Sequence, residues 1–451
     1  MNRLPGSVSL LCVLALLFVI PRAHGAEYIQ SEITAPRSVE EIETPVDAAL
    51  GKDKKKIRRL LLDELKRRLQ KQPAWLRDAT LDYNLRGYFY DRVNRDDSIN
   101  EALTLGGEIA FQTGQFAGIA QLGFSYYLSY GLYAPEDRDG TGLLGPGQDN
   151  LSVLGQAYLQ LGNLDRFGAR LYRQTLNLPY LNKRDGLMIP YTFENYVMGR
   201  RGTGRDFLIG HATKIKKRDE ETFIPMSEAA GAAGTDEGVT IAGFKLELGE
   251  DTKFGLFNFY GWDTFNTTYV EANWVDPLIR RYGLKASLQY TDQRSVGKAL
   301  AGDFGTSQFG LLLAGSRRGL VVKLAYMQTD EGGEIRSPWG GVPSFNSVIL
   351  EDFDRAGEKS LRASLSWSGE RRNWTAWSGF LNVVTGWDAV DSATAAALPD
   401  VTEYDLTIDY KPTEGRARDL WLRLRSAYAD FEDGTDRWNV RLILKYPFHL
   451  L

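Results

Sequence analysis

The chain has 451 residues, with 54 Lys and Arg against 58 Asp and Glu and a formal net charge of −4. So mildly acidic a total excludes a general nucleic-acid binder, which needs a strongly basic face. The lone cysteine, Cys12, excludes a disulfide framework, and after residue 25 no apolar run reaches the length of a membrane helix.

Residues 1–25 read as a cleaved secretory signal. Arg3 supplies the positive start, Leu10 to Ile20 the apolar core, and Ala23-His24-Gly25 a small-x-small cleavage site. Cleavage after Gly25 removes Cys12, which leaves no thiolate for nucleophilic or metal chemistry. Arg3 and Arg22 leave too, so the mature chain is two units more acidic. Residues 26–78 form a separate periplasmic segment. Glu27 to Leu50 is acidic, carries Pro36 and Pro45, and reads as extended. Lys52 to Gln72 predicts a basic amphipathic helix, with Ile57, Leu61, Leu65 and Leu69 every four residues and Pro73 as its stop. Its readings are a solvated helix packed on the barrel mouth or on copies of itself, an anchor to anionic lipid or other envelope contact, or a partial plug.

From residue 79 to 451 the period is two. Leu81, Tyr83, Leu85 and Phe89 alternate with Asp82, Asn84, Arg86, Tyr88 and Tyr90. The same alternation marks Leu103–Gln112, Ala120–Leu128, Val153–Leu161, Phe167–Leu171, Leu284–Tyr290, Phe309–Leu313, Leu320–Tyr326, Leu361–Trp367, Tyr404–Tyr410 and Trp438–Tyr446. In LWLRLRSAY (420–428) the leucines share one face, and Arg423 and Arg425 the other. Short turns alternate with longer polar loops such as Ala134–Asn150, and Trp421, Tyr428, Trp438, Tyr446 and Phe448 sit at segment ends, where interfacial girdles put them. A soluble β-sandwich accommodates four or eight such segments. Sixteen to eighteen, each with one heavily charged face, predict a transmembrane antiparallel β-barrel with leucine toward lipid and arginine toward water.

A tight hairpin at Asp433-Gly434 brings Arg441 beside Arg425, so three guanidinium groups share a wall and suit carboxylates. The competing reading pairs them with Glu403, Asp405 and Asp409. Catalytic signals are poor: His211 is assigned to a basic loop, His449 sits near the end, and no serine motif, phosphate loop or metal spacing is present. We expect no enzyme activity, cofactor or metal.

Several stretches resemble the OprD family of outer-membrane porins. They are LRGYFYDRVNRD (85–96), YRQTLNLPYLNKRDGLMIPYTFENY (172–196), KIKKRDEETFIPMSEAAGA (214–232), AGEKSLRASL (356–365) and the blocks RDLWLRLRSAY and VRLILKYPFHLL within 418–451. The resemblance runs from about residue 80 to the C-terminus. It implies an eighteen-stranded barrel in the bacterial outer membrane with one inward-folded constriction loop and a ladder of basic residues passing small carboxylate-bearing solutes. The bilayer, lipopolysaccharide and the solute would be its partners, with no nucleic acid, as a monomer or loose trimer. Arg92, Arg423, Arg425 and Arg441 match the ladder, and Arg86 is read with them as part of the basic field along the pore. Leu178–Glu194 matches the loop, with Asn182, Lys183, Arg184, Asp185, Leu187, Pro190 and Glu194 as its site residues. Two departures stand out: Leu187 occupies the arginine position of the family's D-x-R-M-x-P pattern, and Asp409 stands where a ladder lysine is expected. A structural or adhesive barrel closed by residues 26–72, and a barrel hydrolase using His211, are the rival classes.

Overall fold

The computed structural model describes residues 67–451, except 164, 201, 203, 250, 276–282, 370–375 and 416. The signal, the acidic stretch and the expected helix as far as residue 66 lie outside the described residues; residues 67–69 are helical and 70–72 turn away before Pro73. A one-turn helix, α1 (Ala74–Arg77), follows. Trp75 in it stacks on Phe116 with ring centroids 4.8 Å apart, which fastens it beneath the first turns of the sheet.

The strands are β1 (Thr80–Val93), β2 (Ile99–Gln112), β3 (Ala120–Tyr133), β4 (Leu151–Asn163), β5 (Phe167–Gln174), β6 (Thr192–Arg200) and β7 (Arg205–Lys216). A two-residue β8 (Ile224–Pro225) and helix α2 (Met226–Ala229) precede β9 (Val239–Leu248), β10 (Thr252–Gly261), β11 (Phe265–Val275), β12 (Lys285–Ser295) and β13 (Gly305–Arg317). The chain ends with β14 (Leu320–Thr329), β15 (Lys359–Ser368), β16 (Trp377–Trp387), β17 (Val401–Tyr410), β18 (Trp421–Phe431) and β19 (Asp436–His449). Each strand pairs antiparallel with the next, β7 pairs directly with β9, and β8 is a short addition to β7. The sheet closes where β1 meets β19, from Asp82↔His449 to Val93↔Trp438. Eighteen strands thus form a closed antiparallel barrel with no open edge, the only sheet that satisfies its backbone in hydrocarbon.

The pleat gives the barrel its two faces. Leu288, Leu313, Leu324, Leu361, Leu381 and Leu424 stand exposed in the outer row. Leu422 and Leu424 share that row, whereas Arg423 and Arg425 point inward, as the alternation predicts. Trp421 departs from expectation. It shares parity with Arg423, donates its indole N–H to Asp409 and lies within 4.8 Å of Lys445, so it belongs to the inner row and not to a girdle. Tyr446 and Phe448 do stack outside near the termini, with Phe448 also against Tyr83.

Six barrel strands, β6, β7, β9, β10, β11 and β16, lie beyond the segments marked by alternation. On β10 and the first half of β11 the reason is physical: large aromatic side chains stand in the inner row as well. Phe257, Phe259, Phe265 and Tyr269 are buried inside against Tyr180, Met226 and Trp339 of inward-folded loops. A strand packed on protein inside and lipid outside loses the polar half of its signature. His211 is likewise on a strand, β7, with Nδ1 3.1 Å from the Thr240 hydroxyl, and not in a loop.

Candidate functional site

Register turns the inner rows of β17, β18, β19, β1 and β2 into horizontal rungs. Trp421, Lys445, Arg86 and Gly106 share one rung, and Asp409, Arg423, Ile443, Tyr88 and Thr104 the next. Above them come Thr407, Arg425, Arg441, Tyr90 and Ala102, then Asp405, Ala427, Asn439, Arg92 and Asn100, and then Glu403, Ala429 and Arg437. Successive rungs are about 6.6–6.8 Å apart along a strand. Arg86, Arg92, Arg423, Arg425 and Arg441 therefore stand on one wall. Lys445 and Arg437 extend the column, and both share the parity of Arg441 in the last strand.

The cations of this column are not equivalent. Arg423 is held by Asp409 through Nε to Oδ1 at 2.8 Å and Nη2 to Oδ2 at 2.9 Å. Arg92 donates to Asn100, and Arg437 pairs with Glu351 at 2.5 Å. Arg425 and Arg441 face each other directly across β18 and β19. Arg441 donates to Asn439 and to the Ile349 carbonyl, whereas Nε of Arg425 has no hydrogen-bond acceptor. Neither forms an ion pair among the described residues. One of the expected counter-ions, Asp409, is used as a partner; the other two are spent elsewhere.

Those two carboxylates hold loops and side chains in place. Glu403 accepts the backbone N–H groups of Ile349, Leu350 and Glu351 at 3.1, 2.8 and 2.8 Å. Asp405 accepts from Asn382 Nδ2 at 3.0 Å, and Arg362 donates to Asn382 and to the Phe345 carbonyl at 2.7 Å each. Residues 330–358 between β14 and β15 are thus folded into the bore. Gln293 makes reciprocal bonds with Arg336 backbone, and Trp339 stacks on Phe265 at 4.9 Å and donates to the Met226 carbonyl at 2.9 Å. One inward loop was expected; this longer one is a second.

The expected loop, residues 175–191 between β5 and β6, enters from the same end and reaches mid-strand. Asp185 pairs with Arg86 at 2.7 Å and with Lys183 at 3.8 Å. Arg86 also donates to the carbonyls of Leu187 and Met188, and the Tyr88 hydroxyl to that of Gly186 at 3.1 Å. Lys216, wholly buried, donates to the Pro190 carbonyl at 3.1 Å. Asn182 bonds the Gly341 carbonyl at 2.9 Å and its N–H at 3.0 Å, which ties the two inward loops together. Leu187 is buried among Tyr88, Leu143 and Met188. Glu194 is not in the loop. It is the third residue of β6, in the outward row with exposed Tyr196 and Met198, and pairs with Arg173 at 2.8 Å.

A closed barrel, apolar outside and polar over one inner wall, with long loops folded into its bore, defines an outer-membrane protein of the porin class. Its sequence agrees: the model of the outer membrane porin, OprD family, matches residues 73–450, and the chain belongs to that family. The structure is similar to Pseudomonas aeruginosa OccK9 (OpdG), at 21% identity over 84% of this chain and 100% of that one, with a TM-score of 0.75. It is also similar to P. aeruginosa OpdK, crystallised with vanillate (20% identity, 82% and 99% covered, TM-score 0.73). Acinetobacter baumannii OccAB1 gives 17% identity, 85% and 99% covered, and a TM-score of 0.74. A search of the curated proteins finds no significant match. The chain is thus a β-barrel of the bacterial outer membrane, in contact with the bilayer and with solutes.

Proposed function

We propose that the barrel is a passive diffusion channel for small carboxylate-bearing solutes, with no chemistry of its own. The observation that carries this reading is the Arg425–Arg441 pair, two guanidinium groups side by side on one rung with no carboxylate between them. Like charges held together in water near a low-dielectric wall favour an anion, and planar forks favour a carboxylate. The vanillate in the OpdK structure is an aromatic carboxylate, the class such a pair receives. Residues 175–191 set the width near Arg86, and residues 330–358 cover the upper part of the same wall. In this reading the end carrying both termini faces the periplasm and the inward loops enter from outside.

The test is a planar-bilayer measurement with Arg425→Gln plus Arg441→Gln, run beside liposome swelling in amino acids, sugars and aromatic acids. We expect the reversal potential in a salt gradient to move toward cation preference and carboxylate flux to fall while sugar flux holds. An unmoved potential overturns the arginine-wall reading. No conductance at all overturns the channel in favour of a closed, structural barrel.

A further inference from the structure

The lowest rung of the wall gathers two lysines onto one indole. Lys411 follows directly on the last register pair of β17 and β18, Tyr410↔Leu422, and so comes level with Trp421 in the inner row. Lys445 of β19 flanks Trp421 on the other side. The Lys411 backbone N–H donates to the Ala376 carbonyl at 2.7 Å, which holds this end of the strand in place. Nζ of Lys411 lies 3.9 Å from the Trp421 ring centroid, and Nζ of Lys445 4.8 Å. Two ammonium groups from two different strands thus share one ring.

The ring is itself fixed. Its N–H donates to Asp409, the same carboxylate that takes both arms of Arg423, and the Arg423 guanidinium lies 4.6 Å from the ring centroid. The acid that stands where a ladder lysine is expected therefore orients the indole, and Lys411 supplies a cation one rung lower. Asp409 is occupied in this way, and Asp185, beyond Lys445, is paired with Arg86 at 2.7 Å. Neither lysine side chain forms an ion pair or donates a hydrogen bond among the described residues. Lys411 is exposed, and Trp421 and Lys445 are partly so, hence all three meet the water of the bore.

Ammonium groups brought to one ring repel each other, and the attraction of each for the indole offsets this only in part. An anion between them removes the rest. An ammonium ion is a point charge and sets no planar geometry for its partner, unlike the guanidinium fork. Such a site holds a carboxylate without locking it, which suits the exit of a channel, where a bound solute has to leave again.

We propose that Lys411 and Lys445, held by Trp421, form a second and weaker carboxylate station about 13 Å below the Arg425–Arg441 pair, at the end that carries both termini. This rests on the proposed carboxylate channel and deepens it: the solute passes from guanidinium to ammonium on its way out. Trp421 is a positioning residue, which acts through the two lysines.

The experiment measures the dwell time of current block by benzoate in planar bilayers, on the full-length protein. It is run in the unmodified channel and in the Arg425→Gln plus Arg441→Gln background, where the upper site is removed. We expect a shorter but measurable block to persist in that background, and Lys411→Gln to cut its dwell time about tenfold, as loss of one charge-assisted contact does. Trp421→Leu removes no charge, yet should shorten the dwell by about two- to fivefold, the size of an exposed cation–π contact. Trp421→Phe, which keeps a ring, should retain most of it. Heat-modifiable migration in gels reports that each variant is folded. No block in the double-arginine background, or a block that Lys411→Gln and Trp421→Leu leave unchanged, overturns the lower station. The upper site fails separately, if benzoate dwells as long in the double-arginine background as in the unmodified channel.

Discussion

Arg423 on β18 and Asp409 on β17 pair through both ends of the guanidinium fork, at 2.8 and 2.9 Å, on the rung directly below Arg425 and Arg441. A cation in the middle of the column is thus neutralised by the next strand. Asp409→Asn should free it. We expect stronger anion preference in the reversal potential, and single-channel conductance that rises for carboxylates and not for cations. An unchanged potential would mean that Arg423 and Asp409 lie off the solute path.

Arg86 is the main tie of the 175–191 loop, through Asp185 and the carbonyls of Leu187 and Met188. Arg86→Ala removes all three contacts and leaves Asp185 with the weaker Lys183 contact at 3.8 Å. Breaking one partner of a half-buried pair costs about 3–5 kcal/mol locally. We expect larger conductance with open-channel flicker. The pH dependence has a definite sign. Burial pushes the Asp185 carboxyl up, but Arg86, and then Lys445 and Lys183, more than offset it, so it titrates below the ordinary 3.8. A depressed carboxylate holds its contribution above the unfolded value and loses it as pH falls through the folded one. Flicker in the unmodified channel should therefore begin only below pH 3.8, and an onset near neutrality would exclude Asp185 as the tie.

Glu403 is the corresponding anchor of the longer loop, since three consecutive N–H groups converge on one carboxylate. Alanine there strands three backbone donors, each at about 1–3 kcal/mol if left without an acceptor. Limited proteolysis of Glu403→Ala should cut within 330–358 while the barrel stays intact, and conductance should rise. Protection equal to the unmodified protein would show that Arg437–Glu351 and Arg441 to the Ile349 carbonyl suffice.

What could be read from the chain depended on what each inner row faces. On β1, β17, β18 and β19 the inner row keeps charged side chains even where Tyr88, Tyr90 and Ile443 pack on the inward loops, so apolar outer residues alternate with charge and register follows. That register was enough to line up Arg86, Arg92, Arg423, Arg425 and Arg441. Phe257 and Phe259 could not be read the same way, because they pack on Trp339 and its neighbours from a loop more than seventy residues on. The inward fold of 330–358 leaves no local mark: its Pro, Gly and Ser residues look like any polar loop, and Glu403 acts on it from β17. Lys445 was visible by parity alone, since it shares the inner row of Arg441 in the last strand.

Leu424 bears the orientation on which the rest depends. It lies between Arg423 and Arg425, in the outer row, opposite Leu442 of β19, and is 40% exposed. Water would tolerate arginine at an exposed position at almost no cost, whereas the midplane of a bilayer charges about 2–4 kcal/mol for it. Leu424→Arg should therefore lower unfolding stability in phospholipid vesicles by that amount, with Leu424→Ala as the reference for lost apolar contact alone. If both variants lose the same amount, the outer row does not meet hydrocarbon at this depth, and Arg423 and Arg425 would need a different account of why they face inward.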